Sequence, residues 1–86
     1  MECRSDKEVS NWQKYSIKED KFKEVEPFLI KNKPKNPFLS SLTINELSSN
    51  DLTVYRCYDI LNKYAETSLS GKLGKDSIKS SFNIQI

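Results

Sequence analysis

Eighty-six residues with 14 basic and 12 acidic side chains, and no histidine, make one small domain of net charge +2. That balance excludes the strongly basic footprint of a dedicated nucleic-acid binder, and no apolar run approaches the roughly 20 residues of a membrane span. Without histidine the commonest general base is missing, and Cys3 and Cys57 have no zinc-ligand spacing, so the chain reads as non-catalytic, with no metal and no cofactor.

In chain order, Ser5-Asp-Lys-Glu8 has the S-x-x-E form of a capping box, and Val9, Trp12 and Tyr15 follow at helical spacing. Ser16-Ile-Lys-Glu19 repeats the signal ahead of Phe22 and Val25. Together they predict a helical region over 5–26, closed by Pro27. Phe28-Leu-Ile30 is a short apolar run. Residues 31–37 read as a basic Pro/Asn linker that disfavours helix and central strand alike.

Thr43-Ile-Asn-Glu46 and Ser48-Ser-Asn-Asp51 are further caps, and they open a second helical region over 43–66. Its main helix, 50–66, is amphipathic. On a wheel of about 100° per residue, Val54, Cys57, Tyr58, Leu61, Tyr64 and Ala65 share one arc; Tyr55, Arg56, Asp59, Asn62, Lys63 and Glu66 lie opposite. In 67–86, Gly71 and Gly74 mark a turn. Phe82, Ile84 and Ile86 then alternate as in a half-buried strand, to be paired with Phe28-Leu-Ile30 or with a sheet edge of another protein. The expected fold is mainly α, a single three- to four-helix domain over 1–86 with a short C-terminal strand; α+β is the alternative.

Cys57 falls mid-helix on the apolar arc, where a reduced thiol packing as a small hydrophobe is expected, although two cysteines also allow one bridge. The charged N-terminal residues lack the apolar stretch of a secretory signal, which points to an intracellular, reducing compartment. Twelve of the 14 cations are lysine and there is one alanine, the bias of an AT-rich genome such as that of a low-GC bacterium, its phage or plasmid, a virus or a protist.

Function is read from the outer side of the 50–66 helix. Leu52, Tyr55, Arg56, Asp59, Ile60 and Lys63 form a face too apolar to be merely solvated, and Tyr and Arg are the types that anchor interfaces. The reading is a small protein-binding module or regulatory factor that occupies a surface of a larger protein or self-associates. The alternative is a nucleic-acid-binding regulator using Lys31, Lys33, Lys35, Arg56, Lys72, Lys75 and Lys79. Thr53-Val-Tyr-Arg56, preceded by Thr43-Ile-Asn-Glu-Leu47, resembles the recognition helix of helix-turn-helix regulators, but Glu46 to Thr53 is only seven residues, too few for a first helix and turn. Gly71-Lys-Leu-Gly74 resembles the GXXG loop of KH domains, without the first strand that such a domain requires. Asn36-Pro-Phe38 resembles the tripeptide bound by EH domains.

Overall fold

A computed structural model describes residues 1–33, 35–44, 48–69 and 83–86. The mainly α expectation is overturned: no α-helix occurs among these residues, which form eight strands. In order they are β1 (Glu2–Arg4), β2 (Val9–Ser16), β3 (Lys21–Glu24), β4 (Ile30–Lys33), β5 (Asn36–Leu42), β6 (Val54–Asp59), β7 (Tyr64–Ser68) and β8 (Asn83–Gln85). They build two four-stranded sheets, ordered β4-β5-β1-β8 and β3-β2-β6-β7. All pairings are antiparallel except β1 with β8, which run parallel.

The element that looked most helical is β6, and its burial alternates strictly: Tyr55, Cys57 and Asp59 point in while Val54, Arg56 and Tyr58 are half-buried on the other side. Val-Tyr-Arg-Cys-Tyr is rich in β-branched and aromatic residues, which suit a pleated, half-buried surface. The inner row also contains an aspartate and a tyrosine, so hydropathy alone conceals the period of two. Hence Tyr58 and Tyr64, expected inside, lie on the outer face, and Leu61 is exposed in the β6–β7 turn.

The capping signals at Ser5, Ser16 and Ser48 are satisfied in turns instead of helices, and the one at Thr43-Ile-Asn-Glu46 runs outside the described residues. Lys7 N–H donates to Ser5 Oγ at 3.0 Å between β1 and β2, and Glu19 N–H donates to Ser16 Oγ at 3.2 Å between β2 and β3. Ser48 N–H and Oγ–H both donate to Asp51 Oδ2, at 2.9 and 3.1 Å, around a 3-10 turn over Ser49–Asp51. Serine and aspartate side chains that bond nearby backbone groups start turns as readily as helices. Pro27 does not end a helix but opens a second 3-10 turn, Pro27–Leu29. The supposed basic linker is largely the β4–β5 hairpin, and Pro37 stands near the start of β5. The short C-terminal strand is present as β8, but its partner is β1, not 28–30.

The interior is one cluster, in which Cys3, Trp12, Val25, Leu42, Tyr55, Cys57, Leu69 and Ile84 are buried together. Cys3 and Cys57 are joined in a disulfide across the two sheets, with Cα atoms 6.4 Å apart. This corrects the reduced-thiol expectation for Cys57. Trp12 is in register with Cys57 on the adjacent strand, fully buried, and its indole N–H donates to Ser40 Oγ at 2.8 Å. Tyr55, two residues before the second cysteine, donates its hydroxyl to Asp51 O at 2.7 Å. An inter-sheet cystine, a buried tryptophan beside it and a tyrosine tied back to the preceding turn are the marks of an immunoglobulin-type sandwich. The strand order follows that plan with one departure. The place beside β1 is taken by β8, which arrives from the far end of the described chain and runs parallel.

Candidate functional site

The outer face of the sheet β3-β2-β6-β7 is assembled by strand register. Gln13 lies opposite Arg56, and Arg56 opposite Glu66; Asn11 lies opposite Tyr58, and Tyr58 opposite Tyr64; Tyr15 lies opposite Phe22. Because directly opposed residues share a face, these side chains form one layer.

Arg56 is its centre. The guanidinium carbon lies 3.9 Å from the centroid of the Phe22 ring and 4.5 Å from that of Tyr64, so the cation is held between two π-faces. Arg56 Nε donates to Glu66 Oε1 at 2.8 Å, and a longer contact of 3.5 Å runs to the Tyr58 hydroxyl. Those hydrogen bonds, to Tyr58 first and then to Glu66, push the arginine further above its ordinary range and keep it charged. Tyr58 donates to Gln13 Oε1 at 3.0 Å, while Asn11 and Gln13 donate to Glu24 at 3.0 and 3.2 Å. The rings of Tyr15 and Phe22 meet edge to face, and those of Tyr58 and Tyr64 are tilted, with both centroid separations 5.3 Å. Polar groups on this face are thus paired with one another, and the aromatic surfaces lie between them.

At one end of the sheet, the β6–β7 turn is held rigidly. Asp59 Oδ1 accepts from the N–H groups of Leu61 and Lys63 at 2.8 and 3.0 Å, and Ile60 N–H donates to Glu8 O at 2.9 Å. Asn62 takes the left-handed conformation, with φ 63°, that closes the turn. The result is an apolar tip, with Ile60 54% and Leu61 57% exposed.

The residues expected to bind a partner are therefore divided. Arg56 is on the outer face; Ile60 and Lys63 are exposed in the turn. Tyr55 and Asp59 are each 1% exposed and face the interior, and Leu52 is half-buried against the core, so these three present nothing to a partner. The face lies on alternate residues of four strands, not on one helix. Of the cations of the nucleic-acid alternative, Lys31, Lys33 and Lys35 are not brought together with Arg56. Lys31 and Lys33 belong to β4 at the edge of the other sheet, exposed Lys35 follows in its hairpin, and Lys72, Lys75 and Lys79 lie outside the described residues. The helix-turn-helix resemblance at Thr53–Arg56 falls on a strand, and the GXXG resemblance at Gly71–Gly74 lies outside the described residues.

Phe22, Tyr58, Tyr64 and Gln13 were missed as surface residues. Period-two alternation in Asn11/Gln13/Tyr15, Phe22/Glu24, Arg56/Tyr58 and Tyr64/Glu66 is the signal that marks them. No family model, curated protein or solved structure matches the chain. Among the described residues, no group of three or more His, Cys, Asp or Glu side chains could hold a metal ion, and no helix is long and apolar enough to cross a membrane.

Proposed function

We propose that the chain is a non-catalytic protein-binding module whose outer face on β3-β2-β6-β7 occupies a surface of a larger protein. The observation that carries this reading is the stack of Arg56 between Phe22 and Tyr64. Side chains already locked by their neighbours lose little conformational freedom on binding, and polar groups paired within the face need little rearrangement when water is excluded. Tyr and Arg are also the residue types that dominate interface energies. The buried cystine supports folding in an oxidising compartment, and the reducing, intracellular setting expected from the sequence gives way to that reading.

The test is affinity capture from the native source after nuclease treatment, with the wild-type chain and two variants compared for the same captured protein. Phe22→Ser with Tyr64→Ser should lose that protein while near-ultraviolet circular dichroism stays native. Lys31→Ala with Lys35→Ala should retain it, and retention should persist at raised salt. Equal capture by the face variant and the wild type would sink the reading.

A further inference from the structure

Among the described residues the two sheets end in four edge strands, β3 and β7 in one and β4 and β8 in the other. An edge strand presents backbone N–H and C=O groups to which another extended chain can add, and natural sheets prevent this with lysine, proline, irregular pairing or shortness. Three of these edges carry such a guard. Strand β3 holds Lys21 and Lys23, β4 holds Lys31 and an irregular register at Asn32–Lys33, and β8 spans three residues. Strand β7, Tyr-Ala-Glu-Thr-Ser, has neither lysine nor proline, and all five of its residues are in unbroken register with β6.

The ladder between β6 and β7 fixes which backbone groups are left over. At its two ends Asp59 N–H donates to Lys63 O and Leu69 N–H donates to Thr53 O, both at 2.9 Å. Hydrogen-bonded positions alternate along an antiparallel pair, so Ala65 and Thr67 also turn their backbone groups to β6. Tyr64, Glu66 and Ser68 turn theirs outward, where no backbone partner meets them among the described residues. All three residues are exposed, so the edge is open. The guards also bear on which chain can add there. Two copies meeting at β3 with their faces aligned would set Lys21 or Lys23 opposite a lysine, and β4 would bring Lys31 close to its counterpart; like charges directly opposite are destabilising. On β7 the one charged residue is Glu66, already paired with Arg56 at 2.8 Å. A register shifted by two residues from Glu66 against Glu66 avoids even that contact. Tyr64 of one copy then faces Glu66 of the other, and the small Ala65 faces its own counterpart at the twofold axis.

We infer that two copies of this chain pair antiparallel along β7, joining their β3-β2-β6-β7 sheets into one sheet of eight strands. The contact is twofold symmetric and uses the same edge of each copy, so assembly closes at a dimer. It sets the two outer faces side by side on one continuous surface. A single pair of five-residue strands is a small contact beside the roughly 1,200–2,000 Å² of a standard interface, so the dimer is weak. The inference concerns the edge and not the face, and it does not rest on the function proposed above.

Sedimentation velocity of the full, oxidised chain from about 10 μM to about 1 mM tests it, and should show monomer passing to dimer with no larger species. Amide exchange followed by NMR over the same series should slow at Tyr64 and Glu66, while Ala65 and Thr67, already bonded to β6, change little. Glu66→Pro removes an outward N–H and no bond of the β6–β7 ladder, and it should weaken dimerisation by about tenfold or more. Should that variant lose native circular dichroism, Glu66→Lys, which gives β7 the guard of β3 and β4, carries the same comparison. Phe22→Ser, on the outer face and away from this edge, should leave the dimer unchanged. A chain that stays monomeric at about 1 mM overturns the inference, as does growth beyond dimer. A dimer that leaves exchange at Tyr64 and Glu66 untouched overturns it too. So does a dimer that Phe22→Ser abolishes and Glu66→Pro spares, because the copies would then meet through their faces.

Discussion

Strand β6 presents Tyr55, Cys57 and Asp59 to the interior and Val54, Arg56 and Tyr58 to the outer face, so two rows of side chains one residue apart experience different chemistry. Each row holds a tyrosine. Tyr55 donates to a backbone carbonyl, Asp51 O, and burial, then the charge of Asp51, pushes its phenol well above the ordinary range. Tyr58 donates to another side chain, Gln13. The inner row is tied to backbone and by a covalent bond, so the fold depends on it. The outer row is tied to side chains, so it can be removed with the fold intact.

The comparison breaks most severely at the cystine. Cys3→Ala with Cys57→Ala opens a bridge between residues 54 apart in sequence. The chain-entropy model gives about 4 kcal/mol for a loop of that length, within the roughly 2–5 kcal/mol lost when small domains surrender a native disulfide. Urea unfolding of this variant should show that loss. Wild type treated with reductant under partly denaturing conditions should converge on the same midpoint.

A smaller effect is expected beside Tyr55, at the ion pair of Lys14 with Asp51, 2.6 Å apart. Burial works against the Asp51 charge, but hydrogen bonds from Lys14 and from the Ser48 backbone outweigh it and hold the carboxyl below its ordinary value. A carboxyl lowered in the folded state adds stability above its unfolded pKa, and that stability is lost as pH falls through its folded pKa. Lys14→Met should cost about 1–2 kcal/mol at pH 7 and flatten the fall in stability between about pH 5 and pH 2. Tyr55→Phe, which removes one hydrogen bond and leaves Asp51 O without it, should cost about 1 kcal/mol with no change in that pH profile.

Much of the interior was legible as a list but not as an arrangement. Trp12 and Cys57 read correctly as buried, because large apolar rings and cysteines seek the core whatever the secondary structure. The wheel for 50–66 failed because the inner row of β6 includes Asp59 and Tyr55, and Asp59 Oδ1 and the Tyr55 hydroxyl find backbone partners that no hydropathy pattern contains. Ser5, Ser16 and Ser48 each made a real local bond, yet the same bond serves a turn and a helix start. The stronger signal was non-local: Cys3, then Trp12, then Asp51-Leu-Thr-Val-Tyr55-Arg-Cys57, the spacing of an immunoglobulin-type sandwich. Pairing of β1 with β8 leaves no mark in either segment, since it depends on the rest of the fold bringing the two ends of the described chain together.

The smallest expected effect on stability is the one that sharpens the comparison most. Arg56→Ala removes the cation from between Phe22 and Tyr64 and frees Glu66, all at a partly solvated surface. Exposed cation–π contacts contribute about 0.5–1 kcal/mol, and exposed ion pairs about 0–1 kcal/mol. The side chain also regains its rotamer freedom in the unfolded chain, which offsets part of that sum. The net loss by urea unfolding should therefore stay below about 1 kcal/mol, with near-ultraviolet circular dichroism unchanged around Trp12. Phe22 and Tyr64, no longer held by a shared partner, should gain mobility, seen as increased ring and methylene dynamics by NMR on the ps–ns timescale. If Arg56→Ala instead destabilised the fold as much as Lys14→Met does, the outer row would be structural. The stack would then be a clasp between strands and not a surface kept ready for a partner.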